Sequence, residues 1–278
     1  MPNHITNELR IGGVSRERAI QIFKSTIGPG GYLDFNAIVP MPKSLNIEES
    51  SVVEALAFAI EGQVVGFLKH RCDTVEDVFR HIKDQLSNAE YNKALSQAKI
   101  SKRNFELYGH RSWYKWSLDM WGTKWNAYNQ RFPLEIKRPK RNRKTKHKSS
   151  CYMKRLVKKR IQREMTRGNC EDFMIRFDTA WSAPLPVFVL LSTKFPDAII
   201  KVKFADEDIG SNCGWFEVVD GDVKDNDIAG AWGDMSKEEK LKWRKFAIDL
   251  KYEIEDEDDL KAYGFTADYE YADEEEEA

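Results

Sequence analysis

The sequence is short of cysteine. Cys72, Cys151, Cys170 and Cys213 are its only four in 278 residues, too few and too dispersed to staple a secreted domain. No pair has C-x-x-C spacing, which excludes zinc ribbons, thioredoxin-type redox sites and the usual iron–sulfur ligand runs. Long apolar runs are missing too. The longest, over 52–68, is interrupted by Glu54, Glu61 and Gln63, so no segment is expected to span a membrane. The opening residues, Met1-Pro2-Asn3-His4-Ile5-Thr6-Asn7, lack the basic and apolar regions of a secretion signal. These absences predict a soluble, cytoplasmic protein.

Catalytic and ligand motifs are equally scarce. The five histidines, His4, His70, His81, His110 and His147, form no H-E-x-x-H or H-x-E…C-x-x-C arrangement, so no metal site is expected. Gly12-Gly13 and Gly28-Pro29-Gly30-Gly31 lack the lysine and hydroxyl of a phosphate loop and read as turns. There is no G-x-S-x-G elbow. The reading is therefore non-enzymatic, with no cofactor. An enzyme would need a site assembled in space, with Asp178 and Lys124 its candidates.

Hydrophobic residues make up 41% of the chain and charged residues 32%, enough apolar material for a packed core. The net charge of −1 conceals a strong polarity. Residues 137–167 hold fifteen Lys/Arg against one acidic residue, a charge of +14, whereas 205–278 hold 25 Asp/Glu against eight Lys/Arg, a charge of −17. Lys137, Arg138, Lys140, Arg141, Arg143, Lys144, Lys146 and Lys148 make an arm suited to nucleic-acid phosphates. Lys154, Arg155, Lys158, Lys159 and Arg160 extend it along a basic helix expected over 150–166. Only Tyr152 supplies an aromatic ring there, and nothing in the segment signals base readout. The other reading is a loop kept soluble by charge, or one folding back on the acidic tail.

The hydrophobic patterning predicts an α+β fold, a largely antiparallel sheet with helices on one face. Residues 1–47 read as strand, helix, strand, with Ser15 capping the helix and 33–39 as the second strand. Residues 48–121 read as a helical insertion, with a capping box at Thr74 and Asp77 and a helix over 88–108. The sheet region is 122–136 with 168–235, where 123–128 has strand composition, Ser182 caps a helix, and 199–205 and 215–219 are strands. Residues 137–167 form the basic arm, and 236–278 a short helix bearing Leu241 and Phe246, opened by Ser236 and Glu239. Over 253–278 an acidic tail is expected to be disordered, either solubilising the chain or competing with nucleic acid for the arm.

Two tryptophan-containing motifs are specific enough to suggest kinship. Trp121-Gly122-Thr123-Lys124-Trp125-Asn126-Ala127, preceded by Trp113-Tyr114-Lys115-Trp116, resembles a signature of the YubB ferredoxin-like domain family, as does Phe177-Asp178-Thr179-Ala180-Trp181-Ser182-Ala183-Pro184-Leu185-Pro186. The opening Met1-Pro2-Asn3 and residues 33–42 follow the same pattern. Departures are His4, where the family often has tryptophan, and Ser112 and Lys115, where acidic residues are common. The resemblance implies a ferredoxin-like fold, an origin in a bacteriophage or other mobile genetic element, a location in the host cytoplasm, and no known function.

Trp121, Lys124, Trp125, Asp178 and Trp181 thus form a second candidate site. The rings stack on bases or anchor a protein partner in the functional reading. In the bland reading the tryptophans fill the core and Asp178 orders a turn. The leading function is a nucleic-acid-binding module acting through 137–167. The alternative is a module that binds or inhibits a host defence protein.

Overall fold

In the computed structural model, the residues described are 2–131, 173–252, 254 and 257–270. Strand β1 (His4–Gly12) buries Ile5, Asn7, Leu9 and Ile11 on one side and carries His4, Thr6, Glu8 and Arg10 on the other, the period of two that a sheet with two different faces requires. Helix α1 (Arg16–Ser25) begins at Ser15, whose hydroxyl accepts the Arg18 N–H at 3.3 Å, and buries Ala19, Ile22 and Phe23.

The strand expected over 33–39 does not form. Ile27 and Leu33 make a single bridge, and Phe35–Ala37 is a 3-10 turn. Side chains take the backbone donors that a ladder would have used. Asp34 Oδ1 accepts the Asn36 N–H at 2.9 Å, and Asn126 Oδ1 accepts that of Phe35 at 2.9 Å. Leu33, Phe35, Ile38 and Val39 are buried all the same, so their alternation marks burial without marking a strand.

The chain divides into two compact units, one formed by 1–39 with 121–278 and the other by Pro40–Met120. The second unit is helical. α2 (Ser51–Ile60) is capped by Ser50, and α3 (Val75–Gln85) and α4 (Asn88–Tyr108) each open with a complete capping box, Thr74 with Asp77 and Ser87 with Glu90. Gly109 ends α4 in the left-handed conformation, at φ +72°. Val53, Leu56, Leu68, Val78, Ile82 and Ala98 are its core. α5 (Trp113–Trp121) returns the chain to the first unit.

There the second strand, β2, is Tyr128–Arg131 rather than the expected 123–128. The remaining elements are β3 (Phe173–Ala180), α6 (Leu185–Lys194), β4 (Ile199–Ala205), β5 (Gly214–Val219), β6 (Asp222–Ile228), α7 (Lys237–Tyr252) and α8 (Glu257–Ala262). The six strands are antiparallel neighbours in the order β2-β3-β1-β4-β5-β6. The path β1-α1-β2-β3-α6-β4, with β3 and β1 central, is the split arrangement of a ferredoxin-like fold, extended by the β5–β6 hairpin.

On the first face, Leu9, Ile11, Phe177, Val202 and Phe216 pack with Phe23 of α1 and Phe188 of α6. α7 lies at the Ala205 end of the second face, where Trp243, Ala247 and Leu250 cluster with Ala205 and Cys213. Of the two residues expected to mark this helix, Leu241 is exposed and Phe246 packs partly buried against that cluster.

Two further expectations change. Ser182 does not cap α6, whose N-cap is Pro184 without a side-chain bond; the Ser182 hydroxyl donates to Gly122 O instead. The tail is not disordered over 257–270, because α8 forms and Leu260 and Phe265 are buried against Ile248. The last residues, 271–278, lie outside the described region, as does the helix expected over 150–166.

Candidate functional site

The two tryptophan motifs meet at the end of the sheet where β3 stops. Thr123 Oγ1 donates to Ala180 O at 2.7 Å and accepts the Ala180 N–H at 3.2 Å, the paired bonding of a strand neighbour supplied by one hydroxyl. Lys124 N–H donates to the same carbonyl at 3.4 Å. Thr179 Oγ1 donates to Ser182 O at 2.8 Å. Gly122 permits the approach: its φ is +73°, and a Cβ there would lie 2.6 Å from Pro186 Cδ.

Trp181 itself is left-handed, at φ +76°, a conformation costing a bulky side chain about 1–2 kcal/mol. Its backbone is pinned from both sides, its N–H donating to Asn3 O at 3.0 Å and its carbonyl accepting from Asn212 Nδ2 at 3.0 Å. Asn3 and Asn212 are in turn held by the buried carboxylate of Asp206, at 3.0 and 2.7 Å.

The candidate residues separate by role. Trp121 is core: its ring packs edge-on against Phe35, and Nε1 donates to Val39 O at 3.0 Å. Trp125 and Trp181 are each 37% exposed. The Lys124 ammonium lies 4.6 Å from the Trp181 centroid and 5.3 Å from that of Trp125, a cation–π arrangement on both rings. Asp178 points elsewhere. It accepts from Asn129 Nδ2 at 3.0 Å and lines a cavity of about 440 Å³ with Thr6, Arg176, Lys251 and Tyr252, a set that does not include Lys124.

Tyr128 ties this end together. Its hydroxyl donates to Thr179 O at 3.0 Å and lies 2.6 Å from His4 Nδ1. Burial, with the charges of Asp178 and Glu207, pushes its ionisation up to about 12.

On the second face Glu8, only 3% exposed, meets Arg10 Nε at 2.9 Å and Arg176 Nη2 at 3.0 Å. Burial raises its pKa, but the hydrogen bonds and charges of Arg10 and Arg176 together outweigh it and hold the carboxyl below its ordinary range. Lys251 donates to Asp206 O at 3.0 Å, and burial pulls its ionisation down despite Asp206, Glu207, Asp178 and Asp208 nearby.

These groups escaped the sequence reading, because a register and a helix on the second face bring them together. One signal was present, since Glu8 and Arg10 are two apart in a strand and therefore share a face. All of Lys137, Arg138, Lys140, Arg141, Arg143, Lys144, Lys146, Lys148, Lys154, Arg155, Lys158, Lys159 and Arg160 lie outside the described residues. Among the described residues, no three His, Cys, Asp or Glu side chains are grouped to hold a metal ion, and no helix is long and apolar enough to cross a membrane.

Residues 161–261 match a family model described as the ferredoxin-like domain of Api92-like proteins, about a third of the chain. The ferredoxin-like character implied by the tryptophan motifs therefore stands, under a different family name from YubB. No curated protein matches. A solved structure, protein api92 from Yersinia pseudotuberculosis, is 11% identical over 83% of this chain and 99% of its own, with a TM-score of 0.34.

Proposed function

We propose that this protein is a non-enzymatic binding module that contacts nucleic-acid phosphates through residues 137–167. The charge of +14 over that segment carries the reading. Its flanks support it. The described residues that flank it in sequence, Arg131 at the end of β2 and Phe173 at the start of β3, lie on adjacent strands of the sheet. A host-cytoplasmic role in a bacteriophage or mobile element accords with the YubB resemblance.

The test is fluorescence anisotropy with labelled single- and double-stranded DNA and RNA across a salt series. The intact chain is compared with one in which 137–167 is replaced by a Gly/Ser linker of equal length. Contact with about six phosphates gives a log–log salt slope near −5, and the linker variant loses it. Absence of binding by the intact chain at low salt overturns the reading and directs the search to a protein partner.

A further inference from the structure

A tryptophan held left-handed by backbone bonds on both sides is an expensive way to place a ring, and such strain gathers where a ligand is clamped. Here it displays the ring rather than burying it, and Trp125 stands at the surface beside it. Behind them the aromatic surface continues, with Trp125 and Tyr128 centroids 6.1 Å apart and Tyr128 and His4 5.7 Å apart, both edge-on. We infer that Trp125, Lys124 and Trp181 form a stacking platform for unpaired bases, which adds affinity for single strands beyond the phosphate contact that a duplex also makes. The inference rests on the phosphate-contact reading above.

Three observations favour bases over other partners. Trp125 and Trp181 are both partly exposed, and an aromatic ring stacks on any base irrespective of sequence. Lys124, already over both rings, places a cation beside a stacked base, where the backbone phosphate would pass. The neighbouring carboxylates of Asp178, Asp206, Glu207 and Asp208 keep their charge, so stacking on the rings rather than phosphate contact supplies the affinity at this end of the sheet. β3 opens at Phe173, the first described residue after the segment in sequence, and ends at Ala180 beside the platform, eight residues or roughly 26 Å of strand away.

The test uses the full chain with Trp125→Leu and Trp181→Asn together, asparagine being at ease in the left-handed region. Binding to oligothymidylate of about 12 nucleotides and to a duplex of equal length is measured by anisotropy. Single-strand affinity is expected to fall at least tenfold, while duplex affinity and the salt slope stay as in the parent. An unchanged thermal midpoint and circular-dichroism spectrum show that the variant is folded. Unchanged single-strand affinity, or equal losses on both ligands, overturns the platform.

The unaltered protein provides the second readout. Ultraviolet cross-linking to an iodouracil-substituted strand is expected to mark Trp125 or Trp181, and cross-links confined to other residues overturn the proposal. Failure of the two readings is distinguishable: the linker variant tests the segment, and tryptophan-dependent single-strand binding that survives in it leaves the platform standing alone.

Discussion

At the scale of the residue, Glu8 shows how a charge is kept inside this fold. A carboxylate with 3% exposure survives because two arginines from adjacent strands satisfy it. Glu8→Gln removes the charge and leaves Arg10 and Arg176 facing an amide, a loss of about 2–3 kcal/mol for hydrogen bonds to a charged group. Urea denaturation at neutral pH measures it. The pH dependence has a definite sign. The folded carboxyl titrates below its ordinary value of 4.5, so its contribution is complete above that pH and is lost as pH falls through the folded value. The stability gap between parent and Glu8→Gln should therefore shrink under acid, and a gap that stays constant down to pH 2 contradicts the assignment. Thr123 makes the complementary case with a neutral group. Thr123→Val removes the hydroxyl that meets the Ala180 N–H and leaves the Ala180 carbonyl only the longer bond from Lys124 N–H, and a loss of about 1–3 kcal/mol is expected by thermal denaturation.

At the scale of the element, what was legible in the sequence was whatever local chemistry decides. The capping boxes at Thr74 and Ser236, the arrest of α4 at Gly109 and the alternation of 199–205 each depend on neighbours a few residues away, and each is present. Elements decided by distant partners were not legible. Residues 33–39 alternate as a strand does, yet Asn126, far along the chain, takes the Phe35 amide. β6 was not singled out within the sheet region, because all but one of its residues are exposed and no apolar alternation marks it, although Asp220 and Gly221, at φ +50° and +83°, form the two-residue turn of a hairpin. The candidate site divides in the same way. Its tryptophans were legible, but their separation into one buried and two displayed rings was not, because the left-handed turn at Trp181 is stabilised from Asn3 and Asn212. The C-terminal helix α8 was masked by acidic composition. Its attachment rests on Leu260 and Phe265 against Ile248, so Phe265→Ala is expected to release it. Limited proteolysis should then cleave within 253–265 while the sheet resists, and unchanged cleavage would show that the cluster does not hold the helix.

At the scale of the whole molecule, the proposed phosphate contact, taken with charges of +14 and −17 on separate stretches of one chain, predicts competition between the molecule's own carboxylates and an outside polyanion for the basic segment. Deleting all of 253–278 would test this badly, since it strips Leu260 and Phe265 from the core and confounds affinity with stability. Residues 271–278 are the better cut, because Asp273 and Glu274 to Glu277 give five negative charges in eight residues and the cut keeps Leu260 and Phe265 in the chain. If the terminus competes with nucleic acid, its removal should raise affinity a few-fold at low ionic strength, with the thermal midpoint unchanged. The gain should fade as salt approaches about 0.2 M, where the screening length falls below about 10 Å. Anisotropy titrations of the intact and shortened chains over one salt series decide the matter. Equal affinity at the lowest salt means that the acidic end solubilises the chain and does nothing to its binding, whereas a gain that persists at high salt points to a direct contact rather than a screened field.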